Sequence, residues 1–169
     1  MKNIILIGMP GAGKSTIGVL LAKTLGMAFV DTDLLIQERT GELLQQTLEK
    51  RGVKGLLDEE EAAILALDTK KSCVVATGGS AVLREASMAH LKATGACVYL
   101  SLPYSVIARR VNNRATRGIA AEGNETLKDI YAYRTPFYER YADFTVDCRG
   151  KSAEKNVEAV LRTLIGANN

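Results

Sequence analysis

Short apolar runs of strand length, Ile4 to Ile7, Ala28 to Val30, Cys73 to Ala76, Cys97 to Leu100 and Phe144 to Val146, punctuate the chain. Longer segments whose apolar positions recur at helical spacing separate them. The runs show little polar alternation, as strands covered on both faces do. This predicts an α/β fold with a five-stranded parallel sheet flanked by helices. After the first run, Ile17, Leu20, Leu21 and Leu25 mark an amphipathic helix that starts near Lys14 and stops at Gly26. Helical stretches are also expected over 33–39, 42–50 and 56–67, with Gly52 and Gly55 breaking the chain between the last two. In the last of these Leu56, Ile64 and Leu67 share one side, while Asp58, Glu59, Glu60 and Glu61 make a charged first turn suited to the helix dipole. The segment 112–124, rich in Asn, Arg, Gly and Thr, reads as a mobile loop with Gly118 and Gly123 as hinge candidates.

Between the first strand and its helix stands Gly8-Met9-Pro10-Gly11-Ala12-Gly13-Lys14-Ser15, a full match to G-x-x-x-x-G-K-[ST] in the context its mechanism needs. Glycines at 8, 11 and 13 let successive backbone N–H groups face inward around a phosphate, and the helix adds its positive end. The nucleotide-binding candidates are Gly11, Ala12, Gly13, Lys14, Ser15 and Thr16. Lys14 can reach the β- and γ-oxygens of ATP, and Ser15 can ligate Mg²⁺. The second strand ends in Asp31-Thr32-Asp33, two carboxylates at the same edge of the sheet. One can hold the metal and the other can accept a hydroxyl proton; the alternative for Asp33 is a helix N-cap.

Composition narrows the partners. The 169 residues with 47% hydrophobic content suit one domain, and 22 basic against 19 acidic side chains leave +3, far below the field of a dedicated nucleic-acid binder. Cys73, Cys97 and Cys148 lack paired spacing and are expected as buried, reduced thiols. His90 is the only histidine and is expected at the surface, and no Cys/His metal cluster is present. Met1-Lys2-Asn3 leads directly into a strand, and no apolar run is long enough for a bilayer, so a cytoplasmic monomer without membrane or nucleic-acid partners is expected. No N-K-x-D guanine signature occurs.

Together the phosphate loop, Asp31-Thr32-Asp33, Thr40-Gly41, Gly78-Gly79, Arg117 and the run from Arg134 to Asp143 resemble the shikimate kinases over most of the chain. The resemblance implies a three-layer P-loop kinase fold, ATP and Mg²⁺ as cofactors, and transfer of the γ-phosphate to a small hydroxylated acceptor. It implies that Asp31 helps Ser15 hold Mg²⁺, that Asp33 binds the acceptor hydroxyl and acts as base, and that Arg117 closes over the phosphates. Arg110 would stack on adenine and Arg134 would meet an acceptor carboxylate. Lys14, Asp33 and Arg117 are thus the catalytic candidates. The segment 33–61 would bind the acceptor and 112–124 would form the lid.

The departures fall on the acceptor side. Leu57 stands where the family has an arginine that clamps the shikimate carboxylate, and Ser80 replaces the third of three glycines. Ala153, near where the family often offers a proline to adenine, is a milder change. Losing one member of a buried charge contact costs about 2–5 kcal/mol, roughly 30-fold to several thousand-fold in affinity. Arg51 and Lys54 are the nearby cations that would have to substitute. The acceptor set is therefore Asp33, Leu57, Gly78, Gly79, Ser80 and Arg134, serving a metabolite other than shikimate. The rival readings are a nucleotide or sugar-acid kinase of the same architecture and an ATP-binding regulatory module without transfer.

Overall fold

A computed structural model describes residues 2–68, 72–112 and 119–166. Five strands, β1 (Asn3–Ile7), β2 (Ala28–Asp31), β3 (Cys73–Ala76), β4 (Gly95–Ser101) and β5 (Phe144–Asp147), form one parallel sheet in the order β2-β3-β1-β4-β5. The predicted runs are these strands, extended by one residue at β1, β2 and β5 and by three at β4. Central β1 is wholly buried, with Ile5, Leu6 and Ile7 at 0% exposure, because a parallel strand with neighbours on both sides has helices over both faces.

Helices α1 (Lys14–Leu25) and α7 (Ala153–Gly166) pack against each other, α1 over β1–β3 and α7 over β5. Helix α4 (Glu85–Thr94) and helix α6 (Leu127–Tyr141) pack on β4, and α5 (Tyr104–Asn112) leans on α6. Helix α2 (Thr32–Thr40) and helix α3 (Leu44–Leu65) pair with each other and share a small apolar cluster of Ile36, Leu56, Ala63 and Ala120. This is the three-layer P-loop kinase fold. No helix among the described residues is long and apolar enough to cross a membrane.

Register places the chemistry at one edge. Ala76 pairs with Leu6 on one side and Asp31 on the other, so the segments that leave β1, β2 and β3 start level. Thr77 reinforces this by donating both its N–H and its hydroxyl to the Leu6 carbonyl.

Three local expectations change. The helical excursion breaks once, at Gly52 (φ 69°), while Gly55 stays helical, at a place where a Cβ would run into the Arg51 side chain. His90 is half-buried, with Nε2 enclosed and without a hydrogen-bond partner among the described residues. The cap of α2 is Asp31, whose Oδ1 accepts from the Asp33 N–H at 3.0 Å, so Asp33 is released from capping. The three cysteines are free and buried, and burial pushes Cys97 up to about 12 and Cys148 up to about 11, which leaves both as inert thiols.

Gly95 shows how close β1 and β4 lie at their start: a Cβ there would collide with the Asn3 carbonyl. Gly95→Ala is expected to cost about 1–3 kcal/mol through overpacking. A urea titration checks it; an unchanged midpoint would show that the strands separate freely there.

Candidate functional site

The loop after β1 takes the conformation its glycines permit: Gly8, Gly11 and Gly13 have φ of 148°, 82° and 94°. Gly8 also lies so close to β4 that a Cβ would stand 2.9 Å from the Leu100 carbonyl. Lys14 opens α1, is 8% exposed, and folds back so that Nζ donates to the carbonyls of Gly8 (2.7 Å) and Met9 (2.9 Å). Burial lowers its pKa to about 8, against the opposing charges of Asp33, Asp31 and Glu60. The Ala12 N–H is used within the loop, donating to Met9, and its methyl belongs to the core. Arg110, at the end of α5, donates to the Gly11 carbonyl at 3.1 Å and so lies on the outer side of the loop.

Ser15 donates to Asp31 Oδ2 at 2.6 Å, which brings a hydroxyl and a carboxylate together beside the cradle. Among the described residues no group of three or more His, Cys, Asp or Glu gathers to hold a metal ion. A hydroxyl and a carboxylate side by side are hard oxygen ligands of the kind that suits Mg²⁺, so these residues fit the metal that the resemblance implies.

A cleft of about 810 Å³ opens next to the cradle. It is lined by Gly13, Lys14, Ser15 and Thr16 of the cradle, by Asp31 and Asp33, and by Gly78, Gly79, Ser80 and Arg134. The structure thus collects most of the candidates. Of the others, Arg117 and hinge candidate Gly118 lie outside the described residues. The described end of the 112–124 segment contributes Ile119 and Ala120 to the cleft wall.

Three side chains frame the cleft wall around Gly78 and Gly79. Gly78 donates to the hydroxyl of fully buried Thr32 at 2.9 Å, and Tyr138 donates to the Gly79 carbonyl at 2.5 Å. The Tyr138 ring stacks on Tyr99 with centroids 5.3 Å apart. One turn earlier on α6, Arg134 is 3% exposed and donates to the Ala120 carbonyl at 2.5 Å.

Leu57 is not among the residues that line the cleft; it packs with the small α2–α3 cluster, and Leu56 takes the lining position. Arg51 pairs with Glu59 at 2.6 Å and Lys54 with Asp58 at 2.9 Å, and neither lines the cleft. Lys14 and Arg134 are the only cations lining it among the described residues.

Glu60 is the site residue that sequence reasoning missed. It lines the cleft at 3% exposure, and its Oε2 accepts from Ser80 Oγ at 2.6 Å. Burial raises its pKa to about 7; the Ser80 hydroxyl opposes the shift, Asp33 adds to it, and Arg134 and Lys14 lower it. The available signal was spacing: Leu56, Glu60 and Ile64 are four apart, so the buried stripe of α3 runs through Glu60.

A glycine cradle on a helix start, an adjoining hydroxyl–carboxylate pair and a cleft beside them at the ends of parallel strands define a P-loop small-molecule kinase. The shikimate kinase family model matches residues 10–165. The chain is 38% identical over 164 residues to a shikimate kinase of Thermodesulfovibrio yellowstonii, covering 96% of this chain and 94% of the relative. It is 39% identical over 166 residues to one of Thiobacillus denitrificans, covering 97% and 88%. The solved shikimate kinase of Acinetobacter baumannii, in complex with shikimate, superposes with a TM-score of 0.88 at 33% identity, covering 100% of this chain and 95% of that one. The chain belongs to the shikimate kinase family and is an ATP-dependent small-molecule kinase.

Proposed function

We propose that this kinase transfers the γ-phosphate of ATP to a hydroxyl of a small metabolite other than shikimate. The observation that carries this reading is the charge balance of the acceptor wall. Asp33 and Glu60 face it with carboxyl groups, while Arg134 supplies the one cation beyond the cradle among the described residues, with an N–H already given to Ala120. An acceptor carboxylate would be held by Arg134 alone, and the loss of a second charged partner is worth roughly 30-fold or more in affinity.

The residues divide the work. The backbone of Gly11 to Thr16 and the Lys14 ammonium would take the phosphates, and Asp33 would orient the acceptor hydroxyl and receive its proton at a carboxylate oxygen. Ser15 and Asp31 would hold Mg²⁺, which when bound neutralises charge on the β- and γ-oxygens. Positioning and electrostatics supply most of the rate in such transfers, and a cleft walled by Leu56, Ile119 and Ala120 limits water near the reacting oxygen.

A coupled ADP-release assay tests the proposal with shikimate, gluconate, nucleoside monophosphates and neutral polyols. ADP production with a hydroxylated acceptor other than shikimate is expected, with shikimate turned over only at millimolar concentrations. A micromolar KM for shikimate would overturn the altered specificity. ATP binding without transfer to any acceptor would favour a regulatory module instead.

A further inference from the structure

Ser80, on the loop after β3 and twenty residues away in sequence, meets Glu60. Leu57, one turn before Glu60 on α3, brings no charge to it, and no ion pair to Glu60 occurs among the described residues. Its hydrogen-bond partner is the Ser80 hydroxyl, at 2.6 Å from Oε2. Oε1 has no partner among the described residues and points toward Gly78. Asp33 Oδ1 lies 3.0 Å from the place where a Gly78 Cβ would stand, and Glu60 Oε1 is closer still. Ser80 has φ −95° and ψ −8°, a conformation open to any residue, so its side chain sits without strain on the cleft wall.

A serine hydroxyl has one hydrogen and two lone pairs, whereas an ionised carboxylate only accepts. With its hydrogen committed to Glu60, Ser80 Oγ offers the cleft a lone pair. A hydroxyl or ammonium of a bound molecule can donate to it. A carboxylate oxygen would meet a lone pair with a buried negative charge behind it.

We propose that Ser80 is a specificity-determining residue that accepts a hydrogen bond from a hydroxyl or ammonium group of the acceptor, and that Glu60 is a positioning residue that fixes the polarity of that hydroxyl. This rests on reading the cleft as the acceptor site. Glu60 is faced by Asp33 from α2, Arg134 from α6 and Lys14 from α1, and its protonation near pH 7 reverses the bond. A neutral Glu60 can donate to Ser80 Oγ, which frees the serine hydrogen to face the cleft, so preference for donors weakens below pH 7.

The test is calorimetric binding to protein saturated with Mg-ADP, which needs no transfer. Three probes differ in one substituent: shikimate with its carboxylate, the same ring with hydroxymethyl, and the same ring with aminomethyl. For wild type at pH 8 the ratio of the shikimate Kd to that of the favoured donor probe is expected to fall tenfold or more in Ser80→Ala, and to fall likewise between pH 8 and pH 6. The better of the two donor probes tells a hydroxyl from an ammonium.

Glu60→Gln can keep a carbonyl toward Ser80 with its amide toward Asp33. It should therefore retain the wild-type ratio and lose the pH dependence, whereas Glu60→Ala should resemble Ser80→Ala. A ratio unchanged within twofold in Ser80→Ala, a ratio independent of pH in wild type, or no binding of any probe would each overturn the inference. Failure of the kinase reading itself would show separately, as no ADP release with any acceptor.

Discussion

Lys14→Ala is expected to lower phosphoryl transfer by about 10²–10³-fold, the usual loss when one preorganised donor to developing charge is removed from a closed site. The ammonium is preset in the cradle: its side chain is buried and its Nζ is anchored to the Gly8 and Met9 carbonyls. That anchoring also makes Lys14 part of the closed loop, so ATP affinity should fall together with kcat. Steady-state kinetics with a calorimetric Kd for Mg-ATP measure both, and a melting curve separates loop damage from lost charge. A variant that keeps transfer within tenfold of wild type would show that the cradle is not where the γ-phosphate reacts.

How far the sequence discloses this site depends on how local each feature is. The phosphate loop is contiguous, and its glycine φ values are dictated by sterics that the residue types announce. The strands were equally plain, because burial on both faces leaves unbroken apolar runs. Asp31 and Asp33 were legible as a pair, but their division of labour was not: which one caps α2 depends on a rotamer, and the structure gives the cap to Asp31 while its other oxygen meets Ser15.

Glu60 was hidden for a different reason. Within Asp58-Glu59-Glu60-Glu61 it looks like solvated charge, and what buries it is the loop after β3, twenty residues away, which a local pattern does not contain. Leu57 carried the reverse lesson. It stands where the resemblance places a cleft arginine, yet the wall of the cleft passes through Leu56 and Glu60.

Glu60→Gln is expected to stabilise the protein at pH 8 and to leave its stability nearly unchanged at pH 5. Folding raises this carboxyl from its ordinary value of 4.5 to about 7, with burial as the main cause. Below 4.5 both states carry the proton; between the two values the unfolded chain gives it up while the native state keeps it, so native stability falls as pH rises. The loss is complete above about 7 and amounts to about 3 kcal/mol at 1.36 kcal/mol per pKa unit. Glutamine does not ionise, so its advantage should grow by that amount across the window, on the order of 6–12 °C in Tm for a chain of this size. Melting curves of both proteins from pH 5 to pH 8 measure it; a gap that stays constant would mean that Glu60 is ionised throughout. The carboxylate that carries this cost accepts its hydrogen bond from the Ser80 hydroxyl, 2.6 Å away on the wall of the cleft.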